Sequence, residues 1–568
     1  MGARFHTSLP PGEATVVRRR FELTGDGGHE FLDRRLGIDD RATRSPGGRD
    51  GDPSSDPGPA PAPTRSDQDS DASPGPSIHR SMYAARGFRT LEEALFGCLT
   101  TEEIRGLGGA LDVDLPPRKQ EMVAAILTHM GDAYVGSLWA RLTDIEKSAV
   151  SEAAHSPDGC HHDDRFRAKY GQYAPFGNGG RKGRAAKLEL FFFGPDRRMP
   201  DDLVARMKRI APPPPPIEMR TLEAVPTTTP RTHWERTGAK GRSEQVTVGV
   251  PVVVREMEVA AQRNLKAVLK LVERGQIAVS DRTSRPTAAT TRRIAAVLEG
   301  GDFYATPGSQ KSDDDDDDRE GPIQAFAWPL LLQAAGFARN QGTHVALTRK
   351  GLSAREAATP DALRQLWNAW MKWKIFDEYS RVESVKGQKG AMSAVAPRRD
   401  AVADGLAECP VGRWVAVGEF WRFLRADELD FTVSRNDWRL YICDRQYGSL
   451  GDTGRGNWSI LQGRYVLALL FEYAATLGMI DVAYGPAEGG RFDYRDMWGT
   501  DDLSFLSRYD GLSAFRLTPL GAFCLGTTDE HPGAGSGAFP SEYDALVLVP
   551  PRGQSSEHAE TTPGDDRP

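Results

Sequence analysis

Basic side chains in the middle of the 568-residue chain are the first candidates for chemistry. Arg292 and Arg293 lie on a predicted helix that follows Pro286-Thr287, and Arg282 and Arg285 lie on the loop before it. A helix N-terminus presents free backbone amides to anions, so these arginines predict a site for nucleic-acid phosphates. Three basic residues on the hairpin that follows would extend this face: Arg339, Arg349 and Lys350. The alternative is that these side chains only solvate an exposed helix face.

The run Cys160-His161-His162-Asp163-Asp164 contains the side-chain types of a metal site. Adjacent ligands on one loop cannot all face the same ion, and no second ligand pair follows at a useful spacing. The five cysteines occur singly, without a Cys-x-x-Cys pair, which does not fit a zinc ribbon or a disulfide framework. We therefore predict no metal and no other cofactor, a solvated loop in this run, and reduced thiols in a cytoplasmic protein.

Motifs of the common enzyme classes are missing from the sequence. It has no Gly-x-x-x-x-Gly-Lys-Ser/Thr loop for nucleotide phosphates, no His-Glu-x-x-His and no Gly-x-Ser-x-Gly. Asp529-Glu530-His531 resembles the acidic motif of a helicase, but Gly526-Thr527-Thr528 precede it where that motif has an apolar strand. These observations predict a protein that is not an enzyme.

A short pattern occurs twice, at residues 334–351 and, with an insertion, at 474–521. Each copy has an apolar helix that ends at Gly, two short strands and a Leu-Thr-x-x-Gly ending. Gly takes the left-handed conformation after a helix at little cost, the strands can pair as a hairpin, and Thr348 or Thr518 can cap the next helix. These features are typical of the third helix and wing of a winged-helix domain. The sequence therefore predicts two such domains in tandem.

Residues 99–130 predict two helices joined by a Pro-Pro turn. This segment resembles a SAP-type helical unit, a module often found on DNA, and the resemblance implies that Arg118 and Lys119 contact phosphates. An ordinary helical hairpin is the alternative. Farther along, we predict a degenerate third winged helix that includes a strand at 187–193 and a last helix at 201–210.

The predicted fold class is mainly α with small β wings, an α+β architecture with long disordered ends. The predicted organisation is a disordered N-terminal region (1–85), a SAP-like helical unit with a degenerate winged helix (86–211), a Pro-rich linker (212–246), a winged helix with an acidic insertion (247–358), a connecting helix and basic linker (359–396), a second winged helix with insertions (397–527) and a mostly disordered tail (528–568). On the connecting helix, Trp367, Trp370 and Trp373 recur at helical spacing, which favours a core position over a base-stacking surface.

The formal net charge of −7 means that any nucleic-acid contact must come from a local basic face. The six carboxylates of Asp313 to Asp318 would compete with phosphate for the nearby arginines; the alternative is that the run only solubilises its loop. The longest apolar run, residues 465–471, is too short to span a bilayer, and the N-terminus lacks the apolar run of a signal peptide.

A family resemblance covers residues 250–525, including KAVLKLVERGQIAVSDRTSRPTAATTRRIAAVLEGG and the two Leu-Thr-x-x-Gly endings. This region resembles the helicase-associated winged-helix proteins of high-GC bacteria, which are similar to the accessory N-terminal region of XPB-type DNA repair helicases. Residues 99–216 are similar to their front part. The resemblance implies DNA binding or helicase assistance without motor activity, and no catalytic residues carry over.

The predicted third helices are apolar, with Arg464 as their only basic residue, so we do not expect them to read the major groove. We predict a DNA-binding accessory protein of a repair or genome-maintenance system that works with a separate helicase or ATPase subunit. An unpaired strand at 543–550 would form part of that contact. The alternative is a protein–protein scaffold in which the winged helices pack on each other or on the ATPase; a transcriptional regulator is a lesser alternative.

Overall fold

The computed structural model describes residues 87–177, 187–237, 242–304, 321–356, 360–501 and 503–532. The chain is a mixed α/β protein with about 48% helix and 12% strand. Most of the predicted disordered ends lie outside the described residues, as do the acidic run at 313–318 and the predicted strand at 543–550. In the described ranges, no helix has the length and apolar character needed to cross a membrane.

Helices build the front of the chain. They are α1 (Leu91–Cys98), α2 (Thr101–Leu111), α3 (Lys119–His129), α4 (Asp132–Ala140), α5 (Asp144–His155), α6 (Asp163–Tyr170) and α7 (Asp201–Ile210). Among them, α1, α2 and α5 have a side-chain N-cap. The cap of α2 is Thr100, and its amide donates to the Glu103 carboxylate at 2.6 Å while its hydroxyl accepts from the Glu103 amide, a full capping box. Buried side chains from these helices form a core of their own, which we call the front unit.

The predicted strand at 187–193 is wrong. Residues Lys187–Leu190 form a 3-10 turn, and the Phe191 amide donates to the Leu188 carbonyl oxygen at 2.9 Å. Leu188 and all three phenylalanines that end this segment are buried in the front-unit core. Only Phe193 meets another extended segment, through a single bridge to Arg198. A strand needs a neighbouring strand along its length, and this segment has one bridge. Its apolar side chains are buried by packing in the core instead.

The segment expected to be a Pro-rich linker contains a β-hairpin. Strand β1 (Thr228–Thr237) pairs antiparallel with β2 (Arg242–Pro251), from Thr228 opposite Pro251 to Thr237 opposite Arg242. Alternating Thr and Val residues in TVGV and the Thr-rich TTP favour extended backbone. Their low apolar content hid this preference, because it resembles the composition of a linker.

The first half of the body, residues 253–356, follows the hairpin. Its elements are β3 (Val253–Arg255), α8 (Glu258–Glu273), α9 (Ala288–Ala295), α10 (Gln324–Ala334), β4 (Ala338–Gln341), β5 (His344–Leu347) and α11 (Arg349–Glu356). β4 and β5 form the expected hairpin, and Ala278 bridges to His344 on β5. Residues 277–279 are thus a short bridged segment that lies beside β5. Helix α12 (Pro360–Lys372) connects to the second half, and its Trp367 and Trp370 are core residues, as expected.

The second half, residues 385–525, repeats this order with longer insertions. Its elements are β6 (Val385–Lys386), α13 (Val395–Ala407), β7 (Trp414–Ala416), α14 (Val417–Ala426), β8 (Tyr441–Ile442), a helical run at 459–474 whose middle is α15 (Arg464–Ala468), β9 (Ile480–Tyr484), β10 (Leu512–Leu517) and α16 (Pro519–Leu525). Ser459–Gly463 and Leu469–Ala474 are π-helical turns. We call the run at 459–474 the central helix. The predicted helix at 458–477 therefore exists, although its hydrogen bonding is not uniformly α-helical.

One four-stranded sheet joins the two halves, with the order β3-β9-β10-β7 and antiparallel pairing throughout. β3 comes from the first half and pairs with β9, Val253 opposite Tyr484 and Arg255 opposite Val482. Next to this edge, the Met257 amide donates to the Asp481 carboxylate at 2.8 Å. The first half therefore supplies an edge strand to a sheet whose other strands come from the second half.

The threonines of the two Leu-Thr-x-x-Gly turns make the same hydrogen bonds. The Thr348 hydroxyl donates to the Gly336 carbonyl oxygen at 2.7 Å, and the Thr518 hydroxyl donates to that of Gly478 at 2.8 Å. Each hydroxyl also accepts the amide of the Gly three residues later, at 3.1 Å and 2.9 Å respectively. The repeat in the sequence is thus a repeat in three dimensions, in which each threonine links the end of one helix to the start of another.

The glycines of these turns are required by close backbone contact. A Cβ atom placed on Gly351 would overlap the Phe337 carbonyl oxygen, and one placed on Gly521 would overlap the Met479 carbonyl oxygen. Phe337 and Met479 are equivalent positions, since each follows the Gly that ends the preceding helix. Any larger residue at Gly351 or Gly521 would push its helix, α11 or α16, away from the start of the preceding hairpin.

The two halves share one hydrophobic core. Residues Gln324 to Leu332 of α10 are all buried, and α10 packs against the central helix. Phe303 stacks on Phe471 at 4.4 Å between ring centroids, and Trp370 stacks on Tyr473 at 4.2 Å. The apolar third helices that suggested a protein partner are covered within the chain.

Charged residues from the connecting segment are paired inside this core. Glu378 is fully buried, and the Arg399 guanidinium on α13 donates to its carboxylate at 2.5 Å and to the Phe376 carbonyl oxygen at 3.0 Å. Arg381 donates to Glu472 on the central helix at 3.1 Å. An unpaired charge in a core is costly, so these pairs determine where the connecting segment lies between the halves.

Arg464, the only basic residue of the predicted third helices, is buried in the same way. Its guanidinium donates to Asp510 at 3.0 Å and to Asp493 at 2.7 Å. Burial acts to lower the pKa of Arg464, but the charges and hydrogen bonds of Asp510 and Asp493 together outweigh it and hold the pKa above the ordinary value. Arg464 is therefore part of the core and is not available to DNA.

The front unit contacts the second half through α6 and α14. The Arg165 guanidinium donates to the Ala426 carbonyl oxygen at 3.3 Å and lies 2.5 Å from the Glu428 carboxylate. Arg422 on α14 donates to the Glu218 carbonyl oxygen at 2.6 Å. Beside this contact is a cleft of about 1040 Å³ lined by polar residues of both parts.

Candidate nucleic-acid interface

The loop before α9 is held in place by its serines. The Ser284 amide donates to the Ser280 carbonyl oxygen, and the Ser280 amide donates to that of Arg285, both at 2.8 Å. Ser284 has a φ of 58°, in the left-handed region, which closes the loop. Thr287 then caps α9 by accepting the Thr290 amide. The basic residues of this loop are therefore displayed from an ordered turn.

Ser284 also joins this loop to the β4–β5 hairpin and to the C-terminal end of α10. Its hydroxyl accepts from the Asn340 side chain on β4 at 3.1 Å, and its carbonyl oxygen accepts from the Gln333 side chain at 3.1 Å. Arg282, two residues before Ser284, and Arg339, beside Asn340, are both exposed. The structure thus brings together arginines that are far apart in sequence.

The Arg285 side chain is exposed, and two contacts fix its orientation. Its guanidinium donates to the Ser380 hydroxyl at 2.9 Å and lies 5.1 Å from the Phe376 ring centroid. A guanidinium that stacks on a ring and keeps donors free can still bind an anion. This contact places Arg285 against the residues that follow α12.

Two basic residues that the sequence pattern did not single out lie at that point. Lys372 is in the last turn of α12, and Lys374 follows it two residues before Phe376; both are exposed. Ile375, the residue after Lys374, is 71% exposed. The two lysines alternate with apolar residues in WMKWKIF, and this pattern could have identified them as exposed. The tryptophans of the same segment indicated only a core position.

Arg349 and Lys350 begin α11 at the same end of α10. The Lys350 ammonium donates to the Ala335 carbonyl oxygen at 3.1 Å and lies 5.1 Å from the Phe337 ring centroid. A cation at a helix C-terminus stabilises the helix, so Lys350 has a structural contact as well as an exposed position. Arg349 is exposed.

Arg292 and Arg293 are exposed in the last turn of α9, at the end away from the loop. The Arg293 guanidinium donates to the Gln276 carbonyl oxygen at 3.2 Å. They flank the main cluster from about two helical turns away, roughly 10 Å at the rise of an α-helix. We call the surface formed by Arg282, Arg285, Arg339, Arg349, Lys350, Lys372 and Lys374 the basic face.

Arg118 and Lys119 belong to the front unit instead. The Lys119 ammonium donates to the carbonyl oxygens of Phe96 and Leu99, both at 2.8 Å, and so closes the C-terminal end of α1. Arg118 has an 83% exposed side chain and lies 3.6 Å from the Glu121 carboxylate. Lys119 therefore has a structural role that its position at a helix start did not reveal.

The run from Cys160 to Asp164 is not a uniformly solvated loop. The described residues contain no group of three His, Cys, Asp or Glu side chains that could hold a metal ion. His162 is about half exposed, but the His161 side chain is only 1% exposed and packs on Phe166 at 5.0 Å and Phe176 at 4.9 Å between centroids. Burial lowers the pKa of His161 to about 4. The expectation of a solvated loop is wrong for His161, because tertiary packing selected one of two adjacent histidines for the core.

Comparisons with models of protein families, with curated proteins and with solved structures found no match for this chain.

Proposed function

We propose that this chain is a non-enzymatic DNA-binding accessory protein built on two winged-helix modules, with the basic face as its contact to the phosphates of duplex DNA. The modules are supported by the element order of the two halves. In each, a first strand lies beside the last strand of the wing: Ala278 at His344, and β7 at β10. The two Leu-Thr-x-x-Gly turns with matching hydrogen bonds support the same proposal.

The main support for the DNA contact is that Ser284 holds the loop with Arg282 and Arg285 against the β4–β5 hairpin and the end of α10. It does so by accepting hydrogen bonds from Asn340 and Gln333. It places exposed cations of three segments at one end of α10, where the described residues include only one exposed carboxylate in the same loop, Asp281. Duplex DNA is a regular array of phosphates, so clustered cations on an ordered turn bind it with little reorganisation.

The contact proposed here is independent of base sequence. In a winged helix that reads DNA, the third helix enters the major groove. Here α10 is buried from Gln324 to Leu332 and the central helix is buried with Arg464 paired. A face that reaches only phosphates gives affinity that depends on salt and hardly on sequence.

The test is binding of a labelled duplex by the double variant Arg282→Glu with Arg285→Glu. We expect weaker binding to duplexes of unrelated sequence and a shallower dependence of the binding constant on salt, by about one unit of slope for each phosphate that the variant no longer neutralises. The matched control is Arg105→Glu with Lys208→Glu, the same charge change at exposed positions of the front unit. Equally weakened binding in both double variants, or unchanged binding in the first, would reject the basic face.

Beside DNA, we propose a separate helicase or ATPase subunit as partner, because the chain lacks a nucleotide-binding loop and resembles helicase accessory regions. Affinity purification of the full chain and of a version ending at Gly526 tests this. A nucleotide-hydrolysing protein recovered only with the full chain supports a contact through the C-terminal segment; recovery of none with either version contradicts the partnership.

A further inference from the structure

Three aromatic side chains stand in solvent on one side of the second half. Trp498, Trp438 and Tyr447 are 82%, 67% and 42% exposed. Scattered exposed apolar residues are ordinary, but a tryptophan left almost entirely in water forgoes a large burial energy. Trp438 and the residue after Trp498 each contact the segment 447–451. Two such tryptophans on neighbouring segments indicate a surface that suits a ligand with flat, stackable groups.

Two glycines bring the rings into one row. Trp438 lies over Gly451 and Tyr447 lies over Gly499, so closely that a Cβ on either glycine would overlap the ring. Gly499 is the residue after Trp498, and Gly451 is four residues after Tyr447. The order across the surface is therefore Trp438, then the segment with Tyr447, then Trp498. We call this row the aromatic row.

Exposed basic residues lie at the Trp438 end of the aromatic row. Arg439 follows Trp438, and its guanidinium is within van der Waals distance of Gly390, 3.4 Å from a Cβ built there. Lys389 is therefore its neighbour, and Lys386 on β6 pairs through its backbone with Tyr441 on β8. Among the described residues, these three cations make no ion pair.

Carboxylates also occur on this surface, at both ends of the aromatic row. Asp444 accepts the Gln446 amide at 2.9 Å, and Asp452 accepts the Ser449 amide at 3.0 Å, so both serve local turns. Asp496 and Asp501 are exposed on either side of Trp498. The cations Lys386, Lys389 and Arg439 therefore lie at the Trp438 end, together with Asp452 beside Gly451, and the row extends from this end toward Trp498.

We propose that the aromatic row binds single-stranded nucleic acid, with bases stacked on its rings and phosphates beside Lys386, Lys389 and Arg439. Every base has a π-face, so such a row accepts any sequence, while nearby cations bind the backbone. Three rings accommodate about three or four nucleotides. This goes beyond duplex binding by the basic face, because it uses different residues and a ligand whose bases are unpaired.

The experiment measures fluorescence anisotropy of labelled oligo(dT) and oligo(U) with the full chain. Trp498→Ala is expected to weaken binding by about 5- to 100-fold, the range for loss of one stacked base. Trp498→Phe, which keeps a ring, should stay within a few-fold of the native protein. Lys389→Glu with Arg439→Glu should weaken binding and flatten its salt dependence. The matched control is Tyr173→Ala, an aromatic residue of the front unit that is 51% exposed, which should bind as the native protein does.

Folding of the variants is checked by circular dichroism and thermal unfolding; Trp498 is so exposed that its replacement should leave both unchanged. Loss of oligonucleotide binding in Trp498→Ala with retention in Trp498→Phe and Tyr173→Ala supports the proposal. It is overturned if neither oligonucleotide binds the native chain, or if Trp498→Ala binds as tightly as the native chain. It is also overturned if binding is lost only in Arg282→Glu with Arg285→Glu, since the strand would then occupy the basic face.

Discussion

At the scale of single residues, the most consequential side chains are charged groups in the core. Glu378 and Arg399 are both fully buried and bond to each other, and Arg399 also donates to the main chain after α12. The charge of Glu378 holds the pKa of Arg399 above its ordinary value, although burial acts to lower it. The pair positions the connecting segment, and either residue alone would be an uncompensated charge in an apolar region.

Arg399→Met should destabilise the protein by about 3–5 kcal/mol, because it leaves the Glu378 carboxylate buried without a cation, with the Tyr465 hydroxyl still donating to it at 3.3 Å. The measurement is the free energy of unfolding from urea denaturation. The control is Arg263→Met, which removes an exposed ion pair with Glu299 at 2.8 Å and should cost less than about 1 kcal/mol. Similar costs for both substitutions would show that the buried pair contributes no more than a surface pair.

His161 predicts a dependence of stability on pH. With a pKa of about 4 in the folded chain and about 6.5 when unfolded, the neutral ring is favoured by folding, so its contribution is complete above pH 6.5 and is lost as pH falls toward 4. The loss approaches about 3 kcal/mol at roughly 1.4 kcal/mol per pKa unit. The neighbouring charges are Asp163, which favours the charged ring, and Arg197 and His162, which oppose it.

The difference between the unfolding free energies at pH 7 and pH 4.5 should therefore be smaller in His161→Phe than in the native protein. The phenylalanine cannot be protonated and fits beside Phe166 and Phe176. His129→Gln, at an exposed position of α3 that does not act on the pKa of His161, is the control and should keep the native dependence. An unchanged difference between the two pH values in His161→Phe would assign the pH dependence to other groups.

At the scale of elements, the Leu-Thr-x-x-Gly turns show why the repeat is visible in the sequence. The threonine must reach back to the helix end, and the glycine must admit a carbonyl oxygen, so both positions allow few residue types. The basic face is also an element-scale feature, since it depends on the loop before α9, on β4 and on α10 meeting at Ser284.

Gly351→Ala and Gly521→Ala should each destabilise the protein, by about 1–3 kcal/mol or more, because the added methyl overlaps a main-chain oxygen that cannot easily move. Gly418→Ala on α14 is the control: no atom lies within 4 Å of its new Cβ, and alanine should stabilise the helix by about 0.5–1 kcal/mol. Thermal unfolding of the three variants is the measurement. A neutral outcome at either turn glycine would mean that the two turns are not equivalent.

At the scale of the whole molecule, the two halves behave as one folding unit. Their third helices cover each other, β3 of the first half completes the sheet of the second, and Asp481 accepts the Met257 amide across the same boundary. The front unit differs, because its helices enclose a separate core. The chain therefore combines one small helical unit with a body that cannot be divided between its repeats.

Fragments 212–356 and 360–532 should fail to fold separately and should co-purify when expressed together. Alone, each exposes the apolar surface of α10 or of the central helix, which should bind a hydrophobic dye. Fragment 87–211 is the control and should unfold cooperatively by itself, since its core is its own. Cooperative unfolding of 212–356 in isolation, with no change on adding the other half, would contradict a shared core.

Local sequence was sufficient to predict most helix starts, the glycine-terminated third helices and the repeated turn. Thr518 caps the helix expected after it, and Thr287 caps the helix expected after Pro286-Thr287, because a cap involves only the next three residues. The cluster of arginines before and on α9 was likewise evident from residue type and position.

Tertiary structure alone decided what those elements contact. Nothing local distinguishes His161 from His162 or shows that Lys119 closes the end of another helix. The apolar third helices could have faced a partner protein, and only the fold shows that they face each other. Burial and pairing are properties of residues distant in sequence, so a pattern that specifies an apolar or basic face does not specify what lies against it.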